Sequence, residues 1–179
     1  YEFKGGTGTS SRQIKISGNH YQVAALVQAN HGRREDLTIL GSPVGKHLTH
    51  DLMPRDLGFG SIIVIIATDA PLMPHQLKRL AKRGAIGMAR GGTTGENGSG
   101  DIFLAFSTAN EVPIESMGSV NGEFEWTGDD LCDSIYEAAV QSVEEAVVNA
   151  LIGAESMDTL RPYGYPCSAI NPAELVKIV

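Results

Sequence analysis

Five branched aliphatic residues in a row, Ile62-Ile63-Val64-Ile65-Ile66, constrain the fold of this chain more than any other feature. Their side chains are stiff at χ1 and suit a pleated strand. An uninterrupted apolar run is the pattern of a strand covered on both faces rather than wetted on one. Residues 62–67 are therefore expected to form a central strand. The run is entered through Gly58-Phe59-Gly60 and a lone serine, Ser61. A strand that only fills a core gains nothing from a hydroxyl at its mouth, although a serine satisfying the preceding turn is the bland alternative.

Around this strand the chain reads as one layered α/β unit over residues 1–179, without repeats or a linker. Residues 12–17 and 21–28 flank Gly18-Asn19 and are expected to pair as a hairpin. From Asn30 to Gly60 the composition turns polar, with Pro43, Pro54 and five glycines. It reads as loop around a short strand at 37–40, and loops of such length in compact domains are usually functional. After Pro71 and Pro74, Leu77, Leu80, Ala81, Gly84, Ala85 and Met88 follow the rhythm of an amphipathic helix, ended by Gly91-Gly92. A Gly/Thr/Asn-rich loop to Gly100 leads to a second apolar strand at 102–106. Thr127 and Asp130 resemble a capping pair for a helix over about 131–151. Its stripe of Leu131, Ile135, Ala138, Ala139, Ser142, Ala146 and Ala150 suits close packing. The tail from Arg161 reads as a proline-containing loop before a short apolar end.

Bulk properties exclude several function classes. A length of 179 residues with 42% apolar and 20% charged content suits a single globular domain with a real core. A formal charge of -7 and a pI near 5.2 argue against a nucleic-acid surface. The densest basic cluster, Lys78, Arg79, Lys82 and Arg83, lies at helical spacing and reads as a solvated face. No apolar run approaches the roughly 20 residues that span a bilayer, so no membrane partner is expected. Cys132 and Cys167 lack any CxxC spacing; free thiols fit a reducing, cytoplasmic compartment, with the periplasm left open. The chain opens at Tyr1 rather than Met, inside what reads as a structured motif, and a portion upstream is expected.

Most motif-like strings carry little. GGTGTS at residues 5–10 is glycine-rich, but a strand follows it rather than a helix that would aim amides at a phosphate. GSPVGKH at residues 41–47 is one residue short of a Walker loop and has His47 in the Ser/Thr place. His47, His50 and Asp51 lack a HExxH context, so surface histidines are the expectation and no metal or cofactor is invoked.

Ser61 supports sharper chemistry. Gly60 admits backbone conformations closed to residues bearing Cβ, so the Ser61 hydroxyl can attack the Gly60 carbonyl. The C–N bond would give way to an ester, and water would then release Ser61 as a new N-terminus. A terminal α-amine titrates at about 7.7 to 8.0, so part of it is unprotonated near neutrality. One residue would supply nucleophile and base, the logic of N-terminal nucleophile hydrolases.

The strings GSIIVIIATDAPLMPHQLKRLAKR and NGSGDIFLAFST, with YEFKGGTGTSSR and VQANHG upstream, resemble the self-processing DmpA family of aminopeptidases over nearly the whole chain. That family includes the L-aminopeptidase/D-esterase enzymes and the β-aminopeptidases. The resemblance implies a four-layer αββα sandwich of the DmpA/ornithine acetyltransferase type. It implies autocatalytic cleavage between Gly60 and Ser61, with 1–60 ending the larger subunit and 61–179 forming the smaller one. Ser61 is then the nucleophile, Asn30 the oxyanion-stabilising asparagine, and Ser99 and Asp101, 38 and 40 residues downstream, the pair that orients the nucleophile and relays its proton. On residues alone Ser99 is a loop hydroxyl and Asp101 an exposed strand-entry carboxylate; the β-aminopeptidase branch has Glu at the latter position. Whether the Ser61 amine or Ser99 with Asp101 acts as base stays open.

The activity so implied is hydrolysis of an N-terminal residue from a short peptide, amide or ester through an acyl-enzyme on Ser61. The partners implied are the upstream part of the larger subunit and, through it, a homotetramer of processed subunits. Two alternatives are an acyltransferase like ornithine acetyltransferase, whose nucleophile is usually threonine, and a catalytically silent assembly homologue.

Overall fold

The computed structural model describes residues 1–53, 60–111, 123–160 and 163–179. Pro54 and the Gly58-Phe59 turn, and Arg161 with Pro162 in the tail, lie outside the described residues. Strands β1 (Gly6–Ile16), β2 (Asn19–Asn30), β3 (Ser61–Thr68) and β4 (Ile102–Ser107) form a four-stranded sheet in that order. β1, β2 and β3 pair antiparallel; β3 and β4 pair parallel, with helix α1 (Pro74–Arg90) between them in sequence. Helix α2 (Asp133–Ile152), a small hairpin of β5 (Met157–Leu160) and β6 (Tyr163–Cys167), and helix α3 (Pro172–Ile178) complete the order.

The expected hairpin forms and is longer than its apolar core. Its turn is Ser17-Gly18, one residue earlier than expected, with φ of 50° and 92°. Two consecutive positive φ values match the right-handed twist of the flanking strands. Both long helices cover one face of the sheet, as expected: α2 packs on β1 and β2, α1 on β3 and β4, and the helices on each other. The small-residue stripe of α2 permits this approach. A Cβ on Gly8 of β1 would lie 2.0 Å from the Ala146 carbonyl oxygen of α2, so strand and helix meet there backbone to backbone. Ser142, buried in the stripe, donates to the Val23 carbonyl at 3.3 Å.

Four expectations need correcting. Residues 37–40 form no strand. Arg34–Asp36 and Val44–Lys46 are 3-10 turns, and an isolated Ile39–Ser42 bridge stands where pairing was expected. The alternation there reflects burial of Leu37 and Ile39 under local turns, not a ladder. Thr127 and Asp130 do not cap α2. A 3-10 turn at Asp129–Leu131 intervenes, leaving Leu131 exposed outside the stripe. The Thr127 amide instead donates to the Pro71 carbonyl, and its own carbonyl accepts from buried Gln76. The tail contains the β5/β6 hairpin rather than loop alone.

The fourth correction bears on function. β3 is covered on one face only among the described residues. Ile62, Val64 and Ile66 are buried under the helices, whereas Ile63 is 42% exposed on the other side. Leu26, Ile102, Leu104 and Phe106 share that open face. The basic cluster is solvated at Lys78, Arg79 and Lys82, while Arg83 is half-buried over the Tyr136 ring. Both cysteines are free. No helix among the described residues is long and apolar enough to cross a membrane.

Candidate active site

Register brings three separated segments to one end of the sheet. β2 ends at Asn30 and β3 begins at Ser61, and the two residues are direct antiparallel partners. Directly opposed residues project to the same face with Cβ atoms about 5 Å apart, so the Asn30 carboxamide and the Ser61 hydroxyl are neighbours on the open face. β4 runs parallel to β3 with Ile102 opposite Ile63, which carries the NGSGD segment to the same end.

The polar contacts are local and directional. The Gly100 amide donates to Ser61 Oγ at 3.0 Å. The Ser99 hydroxyl donates to Asp101 Oδ1, and that oxygen also accepts from the Ile62 amide at 3.1 Å. Ser99 thus turns toward Asp101 and not toward Ser61 while residues 60 and 61 are joined. Asp101 in turn is tied to the backbone one residue beyond Ser61. Asn30 is exposed, and Ser61, Ser99 and Asp101 are half-buried, so a ligand approaching the open face meets Asn30 and Ser61 first.

Gly60 has a steric reason to be glycine. A Cβ there would lie 2.4 Å from the Asn30 carbonyl oxygen and 2.9 Å from His31 Cα. The residue before Ser61 therefore lies directly against the segment that follows β2. Two features of that segment escaped the sequence reading. His31 is buried, with burial pushing its imidazole down to about 4 while the Asp101 charge partly opposes the shift. Arg34, also buried, donates to the carbonyls of Tyr1, Leu48, His50 and Glu2 and stacks 3.3 Å over the Phe3 ring. It binds three stretches of irregular chain together just past Asn30. The Gly100 amide was invisible too, since a backbone donor leaves no signature in a side-chain motif.

Other candidates are not drawn in. His50 pairs with Glu174 at 3.5 Å and Asp51 accepts from Ser168 at 3.4 Å. Among the described residues no cluster of three or more His, Cys, Asp or Glu could hold a metal ion. A groove of about 490 Å³ lined by Tyr21, Phe124, Trp126 and Leu131 lies beside Pro71, past the far end of β3 from Ser61.

Comparison with known proteins assigns the family. The model of peptidase family S58 matches residues 1–162. The chain belongs to peptidase family S58. β-Peptidyl aminopeptidase BapA of Sphingosinicella microcystinivorans is 45% identical over the whole chain. The L-aminopeptidase D-Ala-esterase/amidase of Ochrobactrum anthropi, described as a prototype of the serine aminopeptidases and a variant of the Ntn hydrolase fold, is 50% identical. It superposes with a TM-score of 0.92 over 99% of this chain and 48% of its own. A β-aminopeptidase of a Burkholderia species is 41% identical with a TM-score of 0.86, over 99% of this chain and 49% of its own. The chain spans about half the length of the curated relatives it matches, 48% in the case of the first. The α/β class and the family expected from the sequence are thus both borne out, and the S58 fold is of the Ntn hydrolase type.

Proposed function

We propose that this chain carries the catalytic centre of a self-processing serine aminopeptidase. The carrying observation is the direct pairing of Asn30 with Ser61, with the Gly100 amide on Ser61 Oγ and the Ser99–Asp101 pair at the same sheet end. In processing, Ser61 Oγ attacks the Gly60 carbonyl carbon, the C–N bond breaks as nitrogen takes a proton, and water hydrolyses the resulting ester. The products are a Gly60 carboxylate and a free Ser61 amine. In turnover the same hydroxyl attacks a substrate carbonyl, the Asn30 carboxamide donates to the developing oxyanion, and water resolves the acyl-enzyme. The Ser61 amine and the Ser99–Asp101 pair share the proton work; the Asp101 bond to the Ile62 amide keeps that pair beside the nucleophile.

Substrates are N-terminal residues of short peptides, amides or esters, a class supported by the relatives' names. The open apolar face supports a second sheet, supplied by the upstream part of the larger subunit, that completes a four-layer αββα sandwich and roofs the Asn30–Ser61 site. Processed subunits of this kind then assemble as a homotetramer. Mass spectrometry of the purified full-length protein tests the reading: a fragment starting at Ser61 is expected. Ser61→Ala is expected to abolish both that fragment and amide hydrolysis, and retention of either refutes it.

A further inference from the structure

His31 is 5% exposed, yet neither ring nitrogen has a hydrogen-bond partner among the described residues. Buried polar atoms nearly always find one, so this side chain calls for an explanation. It directly follows Asn30, the last residue of β2. Its Cα abuts Gly60, while Asp101 holds the Ile62 amide. His31 and Asp101 therefore bracket residues 60–62. Both bonds that Asp101 accepts among the described residues fall on Oδ1, which leaves Oδ2 to take a further donor. The Tyr1 ring packs edge-on against the imidazole at 5.0 Å and the Tyr1 nitrogen donates to the His31 carbonyl, so the residue is anchored from behind.

We propose that His31 is a positioning residue for Asp101: once Gly60 is severed from Ser61 and withdraws from His31, the buried imidazole donates to Asp101 Oδ2 and fixes the carboxylate that orients Ser99. This rests on the catalytic reading of Ser61, Ser99 and Asp101 above. A neutral imidazole offers one donor and one acceptor, and burial keeps this one neutral at working pH. The charged group facing the ring is Asp101, from the segment before β4; the Ser61 amine joins it after cleavage.

The test uses the full-length protein with His31→Phe, His31→Asn and His31→Gln, reading kcat, KM and the urea midpoint. His31→Phe is expected to keep KM while kcat falls on the order of 10- to 100-fold. The amide variant whose N–H reaches Asp101 is expected to restore kcat. A folded His31→Phe with wild-type kcat overturns the proposal, as does equal loss in all three variants in step with the urea midpoint. Independently of any His31 variant, the His31 imidazole ¹⁵N resonances are expected to differ between cleaved wild type and uncleaved Ser61→Ala; identical resonances overturn it. Active wild type with an unaffected His31→Phe defeats this inference alone, whereas wild type that neither cleaves nor hydrolyses an amide defeats the catalytic reading and this one with it.

Discussion

At Gly60 the Asn30 carbonyl oxygen occupies the place any Cβ would need, 2.4 Å from its ideal position. Gly60→Ala is therefore expected to push residue 60 off the β2 end, misalign the Ser61 hydroxyl with the bond it attacks and lower the cleaved fraction seen by mass spectrometry. Asn30 makes a different kind of contribution, since its exposed carboxamide supports no core contact. Asn30→Ala should cost about 2.7–4 kcal/mol of barrier, roughly 10²–10³ in kcat, with little change in the urea midpoint. His31 adds a pH term to stability. Unfolded, its ring takes up a proton at about 6.5; folded, it does so only near 4. In that window the unfolded state binds more protons, so this contribution is complete above about 6.5 and is lost as pH falls toward 4, by on the order of 3 kcal/mol. Urea midpoints from pH 7.5 down to pH 4.5, for uncleaved Ser61→Ala with and without a folded His31→Phe, measure it as the difference in slope.

Among the elements, pairing direction decides which residues meet. Antiparallel β2 and β3 bring the last residue of one to the first of the other, and parallel β3 and β4 bring two strand beginnings together. Ser61, Asn30 and the NGSGD segment share one sheet end for that reason alone. The sheet is held to its helices by small residues. Gly8→Ala would set a methyl 2.0 Å from the Ala146 carbonyl and 2.6 Å from the Ala150 amide, both backbone atoms that cannot turn aside. It is expected to destabilise by about 1–3 kcal/mol, read from the denaturant midpoint. Residues 37–40 show the limit of periodicity: their alternation between buried and exposed side chains is real, but a strand also needs a partner backbone, and the Thr38 amide finds the Gly91 carbonyl instead.

On the scale of the molecule, one sheet face is sealed by α1 and α2 and the other presents Leu26, Ile63, Ile102, Leu104 and Phe106. Contiguous exposed apolar surface of this kind marks an interface. Leu104→Lys alters a side chain that is 53% exposed and leaves the helix-side core intact. In the full-length protein it is expected to preserve helical circular dichroism while reducing association in size-exclusion chromatography and cleavage at Ser61, if a second sheet is to cover that face. The five-residue aliphatic run did determine a central strand, because β-branched side chains restrict the backbone locally, and the apolar rhythms of α1 and α2 likewise marked their buried faces. The glycines at 8 and 60 could be read only as permissive. What each one admits is a carbonyl from a segment distant in sequence or across a strand pair, and no local pattern records that. The same holds for the Gly100 amide on Ser61, the Asp101 bond to the Ile62 amide and the burial of His31, which exist only because strand register and close packing bring remote backbone and side chains within a few ångströms.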